Sequence, residues 1–183
     1  MVFVIGITGK KGHGKDTVGK ILNKYGYKRI AFADPLKEAC RCIFGFTDEQ
    51  LYGDEKEKTD PFWNVTPRHI LQYVGTDLFR DQLGFVVPDL GKDIWIKSAE
   101  KHIESSGFDK IVITDVRFQN EVDMILKKGG YVVRVTRPSI KSGDTHVSET
   151  HIDDLVVNND ILNDGTIEDL EQKVKDILIS LAC

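Results

Sequence analysis

Cysteine is scarce in this chain of 183 residues. Cys40, Cys42 and Cys183 are too few and too oddly numbered for a disulfide framework, and none stands at metal-ligand spacing. Cys40 and Cys42 lie two apart on an expected helix and so point in different directions, which favours buried or half-buried thiols over a metal pair. Long apolar runs are missing as well. No stretch approaches the ~20 residues needed to span a bilayer, so no membrane association is expected. Met1 leads straight into an apolar strand without the basic region and long apolar segment of a signal peptide. A reduced, cytoplasmic chain is the simplest reading. Positive charge is not in excess either: 25 Lys and Arg against 29 Asp and Glu leave a net charge of -4, which argues against a dedicated nucleic-acid binder. With no internal repeat and no low-complexity segment, 40% hydrophobic and 30% charged residues suit a single globular domain, 1–183, with a sizeable core.

What the chain does have comes first. Val2-Phe3-Val4-Ile5-Gly6-Ile7 is a β-branched apolar run that reads as a strand buried on both faces. It breaks into Gly9, Gly12 and Gly14 among Lys10, Lys11, His13 and Lys15, and beyond Lys15 the residues Val18, Ile21 and Leu22 recur at helical spacing. Strand, glycine loop and helix in that order build a P-loop, and Gly9 to Gly14-Lys15 fits G-x-x-x-x-G-K. Glycines let successive N–H groups turn toward one anion, the helix dipole adds to the field, and Lys15 reaches the β/γ-phosphates as a mobile charge. The hydroxyl expected after the lysine is replaced by Asp16, with Thr17 one position later.

Later segments read as alternating strands and helices. Lys28–Ala33 is expected as a short strand, after which Asp34 caps a helix with Pro35 in its first position and Lys37 in its first turn. Thr47 opens a further turn of helix, and Asp54 to Asp60 is a charged, solvated loop. Phe62 and Trp63 serve either a satellite core or a wall against which a base stacks. Thr66-Pro67 opens a helix whose buried side is Ile70, Leu71, Val74, Leu78 and Phe79, while Arg68, Gln72 and Thr76, four apart, form one polar stripe. That stripe is either a solvated face or the donors and acceptors for a nucleobase and a phosphate.

Lys110–Asp115 is a strand ending in a carboxylate, the position of an acid near phosphates and their Mg²⁺, with Arg117 two residues on. The alternative is a helix-capping Asp115 and an Arg117 paired with Glu121. Tyr131–Thr136 is another strand, and Ser139 to Asp154 is a polar connection long enough to be a lid. Its His146 and His151 lack a third metal ligand nearby. A short strand near residues 156–162 ends in the turn Asn163-Asp164-Gly165. Thr166 then caps the last helix, with Asp169 in the place of the usual Glu of a capping box.

Taken in order, Gly9 to Thr17, Phe32-Ala33-Asp34-Pro35-Leu36-Lys37, Thr66-Pro67-Arg68 with Leu71-Gln72 and Gly75-Thr76, Asp115-Val116-Arg117-Phe118 with Asn120-Glu121, Arg134, Arg137-Pro138 and Asn163 to Thr166 resemble the deoxynucleoside monophosphate kinases of phages and viruses, within the P-loop kinase superfamily. The resemblance spans nearly the whole length. It implies an α/β fold with a central parallel sheet flanked by helices, a helical acceptor-binding region at about 34–105 and a lid at about 137–155.

It also implies ATP as phosphoryl donor, Mg²⁺, a small-molecule dNMP acceptor and no nucleic-acid partner, and it leaves room for a homodimer. Gly9, Lys10, Gly12, His13, Gly14, Lys15, Asp16, Thr17, Arg137, Asn163 and Gly165 are then expected around ATP, the Asn163 turn bordering the adenine. Asp16, Thr17 and Asp115 are expected around the metal; Lys15, Asp115 and Arg117, joined by Arg134 or Arg137, serve the transferring phosphoryl. Asp34, Lys37, Trp63, Arg68, Gln72 and Thr76 are expected around the acceptor. Two rivals stand beside this reading. One is a P-loop kinase of another phosphorylated acceptor, of dephospho-coenzyme A or phosphomevalonate type. The other is a nucleotide switch, against which the missing lysine in Asn158-Asn159-Asp160 counts.

Overall fold

The computed structural model describes residues 2–140 and 151–181. Two compact units divide the chain: one combines residues up to 31 with those from 102 onward, the other is residues 32–101.

The first unit is built on five parallel strands, β1 (Phe3–Thr8), β2 (Lys28–Ile30), β3 (Lys110–Val116), β4 (Tyr131–Thr136) and β5 (Asn159–Leu162), in the order β2-β3-β1-β4-β5. Parallel neighbours need crossovers, and helices supply them: α1 (Lys15–Lys24) leaves β1, α7 (Gln119–Lys127) joins β3 to β4, and α8 (Ile167–Ser180) follows β5. Lying between β3 and β4, β1 is covered on both sides, which is why Val4, Ile5 and Ile7 are buried in an uninterrupted apolar run. Ile5 and Ile7 pack with Val18, Ile21 and Leu22 of α1 and with Leu170, Val174 and Ile177 of α8. A Cβ at Gly6 would stand 2.5 Å from Ile125 Cδ1, so the bare glycine is what lets α7 close on the strand. The register of β1 against β3 breaks between Gly6 and Thr8, where the chain leaves the sheet for the glycine loop.

The start of α8 shows how a cap is assembled. Thr166 Oγ1 accepts from the Asp169 N–H at 3.2 Å, and the Asp169 carboxylate accepts from the Thr166 N–H at 2.8 Å, closing the box that the spacing predicts. The Thr166 N–H, with its hydroxyl, holds the Asp169 carboxyl below the usual carboxylate range. The folded state therefore binds the Asp169 proton less tightly than the unfolded chain does. Stability from this group is present above the unfolded value near 3.8 and is lost as pH falls through the lower folded value. Thr166→Ala should cost about 1 kcal/mol at neutral pH. The gap between the melting curves of the two proteins should narrow, without closing, as pH falls below 3.8 and Asp169 protonates, because the hydroxyl's bond to the carboxylate is lost while its bond to the Asp169 N–H persists; a gap that stays constant there refutes the assignment.

In the second unit, α2 (Asp34–Phe44), α3 (Asp48–Tyr52), α4 (Pro67–Gln72), a π-helical stretch (Tyr73–Gln82) and α5 (Leu83–Val86) follow in order, and α6 spans Ile94–Ser105. Leu36, Cys40, Phe46, Leu51, Ile70 and Leu71 form its core. Burial pushes the Cys40 thiol up to about 11 while Cys42 is exposed, so the two cysteines do point apart.

Three local expectations are corrected here. β2 stops at Ile30, not Ala33. Asp34 is the first residue of α2 and not its cap, because Ala33 has already entered the helical region at φ -81°, ψ -7°; the carboxylate still sits where the helix dipole favours it. The helix after Thr66 keeps its cap, but past Gln72 it widens into i→i+5 winding with more residues per turn. The apolar stripe drifts accordingly: Leu78, expected inside, is 50% exposed, whereas Thr76 and Arg80 are buried. Within this stretch Gly75 takes Leu36 against its bare α-carbon, and its carbonyl accepts from the Trp95 indole at 2.8 Å.

No helix among the described residues is long and apolar enough to cross a membrane.

Candidate nucleotide site

The loop between β1 and α1 carries three glycines at positive φ, Gly9, Gly12 and Gly14. Gly9 has φ +143°, and a side chain there would collide with Val135 O; Gly14, at φ +103°, immediately precedes α1. Lys15 folds back over the loop it follows, its ammonium donating to Gly9 O at 2.5 Å and to Lys10 O at 2.9 Å. The charge is thereby held across the mouth of the loop, beside the N-terminus of α1, where unpaired helical N–H groups and the dipole favour an anion.

Neighbouring elements hold the loop. His13 is 7% exposed, and its Nδ1 lies 3.3 Å from Val135 O in β4; the partner is a carbonyl, so Nδ1 carries the hydrogen. The other ring nitrogen, Nε2, is buried with no hydrogen-bond partner among the described residues. Asn163, just past β5, donates its amide to His13 O at 2.9 Å. Lys10 forms an ion pair with Asp153.

Beside the loop opens a cavity of about 470 Å³, within the range of small-molecule sites. Gly12, Gly14, Lys15, Asp16, Thr17, Arg137, Asn163 and Gly165 line it, together with Thr166, Ile167 and Leu170. Most of the residues expected around ATP are thus brought together from three separate parts of the sequence. Gly9, Lys10 and His13 do not line the cavity; they belong to the frame of the loop. Thr166 reads in the sequence as a helix cap, and only the place of Thr166, Ile167 and Leu170 just after the Asn163 turn hinted at the cavity wall.

Asp16 and Thr17 offer a carboxylate and a hydroxyl to the cavity, while Asp115 sits half-buried one residue before the end of β3. No group of three or more His, Cys, Asp or Glu side chains that could hold a metal ion occurs among the described residues. Mg²⁺ is commonly held by one or two carboxylates plus substrate phosphates and water, so an all-oxygen set of this kind fits it. His146 falls outside the described residues, and His151 begins a short 3₁₀ turn, His151–Asp154.

Directly after β3, the Glu121 carboxylate, 3% exposed, accepts from the N–H groups of Arg117 at 2.8 Å and Phe118 at 3.2 Å. Glu121 therefore grips Arg117 through its backbone as well as fixing the start of α7. Arg134 is committed to the sheet edge, donating to Leu155 O and lying 3.5 Å from the Asp160 carboxylate. Its guanidinium is used inside the scaffold.

The residues expected around the acceptor all lie in the 32–101 unit. Arg68 Nη1 is 3.4 Å from the Glu57 carboxylate, and the Lys37 ammonium lies 4.0 Å above the centre of the Tyr52 ring. Asp34 and Gln72 are half-buried, and Thr76 is 7% exposed. Trp63 donates its indole N–H to Phe44 O at 2.9 Å and meets Phe44 and Phe62 edge-on, which makes it part of a small aromatic cluster. Asp60 fixes this turn: N–H bonds from Trp63, together with those from Gln50 and Phe62, hold its carboxyl below the usual range.

Comparison with known proteins gives a consistent picture. The sequence profile of the family described as deoxynucleotide monophosphate kinase matches residues 46–174. A protein of Acanthamoeba polyphaga mimivirus, provisionally named a deoxynucleotide monophosphate kinase, is 39% identical over 183 aligned residues, covering 93% of each chain. The deoxynucleotide monophosphate kinase of Enterobacteria phage T4 is 33% identical, covering 63% of this chain and 46% of its own. The deoxynucleoside-5'-monophosphate kinase of Escherichia phage T5 is 26% identical over 68% of this chain and 72% of its own. A crystal structure of a Thermus thermophilus protein shares the fold with a TM-score of 0.53 at 19% identity, covering 98% of both chains.

Proposed function

This chain belongs to the deoxynucleotide monophosphate kinase family, and we propose that its phosphoryl donor sits in the cavity beside Lys15 while the acceptor is held by the 32–101 unit. The activity is transfer of the γ-phosphoryl group of ATP to a deoxynucleoside 5'-monophosphate, giving the diphosphate and ADP. Acceptors of dephospho-coenzyme A or phosphomevalonate type, and a nucleotide switch, are disfavoured by that membership. The viral and phage origin of the relatives supports work in a host cytoplasm.

One observation carries the assignment of the donor site: the Lys15 ammonium is held over a glycine loop at the head of a helix, on the wall of a cavity of about 470 Å³. An oxygen of the acceptor's phosphate forms a bond to the γ-phosphorus as the bond to the β,γ-bridging oxygen breaks, so negative charge moves toward ADP. Little covalent work falls to the protein, and positioning and charge neutralisation dominate. Lys15 and the N–H groups of the loop neutralise the phosphates, and Arg117 covers the transferring group. Arg137 and the Asn163-Asp164-Gly165 turn border the nucleotide. Asp16, Thr17 and Asp115 would hold Mg²⁺, which when bound offsets phosphate charge. Lys37, Arg68, Gln72 and Thr76 contact the acceptor, with Asp34 and Trp63 shaping its surroundings.

ADP release measured with ATP and each dNMP in turn, alongside their ribose counterparts and dephospho-coenzyme A, tests the assignment. Acceptor-dependent release confined to nucleotides is expected; acceptor-independent hydrolysis, or activity with dephospho-coenzyme A alone, overturns it. Within the acceptor site, Arg68→Ala should raise the dNMP KM about 10- to 100-fold, the worth of a charged hydrogen bond, and leave the ATP KM within about twofold. Equal changes in both constants would remove Arg68 from the acceptor site.

A further inference from the structure

Two side-chain bonds fix the glycine loop to the end of the sheet, one from the His13 ring to Val135 O and one from the Asn163 amide to His13 O. Asn163 is itself held there, because its backbone N–H donates to Thr136 O at 2.8 Å and continues the β4–β5 ladder by one rung. Its side chain thus projects from a rigid edge. The atom facing His13 O must be the amide nitrogen, since a carbonyl oxygen only accepts. The approach is close: a Cβ on Gly14 would stand 2.5 Å from Asn163 Nδ2, so Gly14 leaves the space this amide needs.

We propose that Asn163 is a positioning residue for the donor triphosphate, acting through the His13–Gly14 peptide and not by reading the donor's base. In a trans peptide the carbonyl and the following N–H point in opposite directions. Fixing His13 O against Asn163 therefore turns the Gly14 N–H the other way, to the concave side of the loop where an anion is held. This rests on the assignment of the cavity to the phosphoryl donor, and it departs from the expectation that the Asn163 turn serves the adenine. Other polar side chains of that turn are likewise occupied within the scaffold. Thr166 is engaged with Asp169, and Asp164 with Lys173 at 2.9 Å. An element whose side chains are bonded inward suits a strut better than a base reader.

The test uses the full chain and two variants, Asn163→Asp, which keeps the shape but replaces the donor with an acceptor, and Asn163→Ala, which removes it. Calorimetric binding of inorganic tripolyphosphate isolates the phosphate grip, and the KM ratio of ATP to GTP isolates base reading. Tripolyphosphate Kd and ATP KM should rise together, about 10-fold in the alanine variant and more in the aspartate variant. The ATP-to-GTP ratio and the dNMP KM should stay within about twofold of the parent, which a general loosening of the fold would not spare. A shifted ATP-to-GTP ratio with unchanged tripolyphosphate binding overturns the proposal, as does no change in either. If the parent protein releases no ADP in response to a dNMP, the functional assignment fails, while the tripolyphosphate comparison still decides the role of Asn163.

Discussion

Lys15→Ala should lower kcat by about two to three orders of magnitude at saturating dNMP, with a higher ATP KM and an unchanged melting temperature. The ammonium now bridges Gly9 O and Lys10 O and is the formal positive charge bonded across the loop mouth. As the bridging bond breaks, charge accumulates on the leaving ADP oxygen, and a preorganised cation beside it stabilises the transition state more than the ground state. Lys15→Arg should not rescue, because the planar fork cannot reproduce a compact charge that reaches two carbonyls from the first residue of a helix. Steady-state kinetics with a coupled ADP assay decides the matter. Near-normal turnover in the alanine variant would remove Lys15, and with it the loop, from the chemistry.

Phe46→Ala should produce the largest loss of stability among single changes in the 32–101 unit, about 3–5 kcal/mol. Phe46 is 2% exposed, stacks on Phe44 with ring centres 5.5 Å apart, and belongs to the cluster of Leu36, Cys40, Leu51, Ile70 and Leu71. A unit of this size has little further core with which to compensate, and a typical domain's total is only about 5–15 kcal/mol. Hydrogen exchange should therefore show protection lost across 32–101 while the strands from β1 to β5 keep theirs, and the dNMP KM should rise more than the ATP KM. A uniform loss along the chain would mean that the two units unfold as one block.

How much of this was legible beforehand differs by segment. β1, the glycine loop and α1 announce themselves because each residue there obeys a local rule: β-branched strand, positive φ at glycine, helical spacing after Lys15. The caps at Thr47, Thr66 and Thr166 were readable for the same reason, since a hydroxyl and the N–H three residues on are all that the bond needs. The π-helical stretch was not legible. Its sequence keeps α-like spacing, and the widening shows itself in how Gly75 packs on Leu36 and accepts from Trp95, neither of which a periodicity contains. Strand order was equally hidden, because alternation and apolarity say that a strand is buried but not beside which partner. The Asn163 to His13 bond joins residues 150 positions apart, and an Asn-Asp-Gly turn signals only the turn.

The order β2-β3-β1-β4-β5 has a consequence for how the enzyme is made. Of these five strands β1 leaves the ribosome first, and among the described residues it pairs with neither its sequence neighbour β2 nor anything else up to residue 100; both of its partners, β3 and β4, arrive only at residues 110–116 and 131–136. Residues 32–101, with a core of their own, are synthesised in between. A nascent chain can thus assemble its second unit while β1 waits with both edges exposed, open to mispairing and to chaperones that bind extended apolar segments. The glycine loop, anchored to β4 through His13 and to the end of β5 through Asn163, gains its fixed shape only once both strands are in place. Chains that stop before β4 and β5 should accordingly fail to retain ATP, whatever their content of the loop sequence.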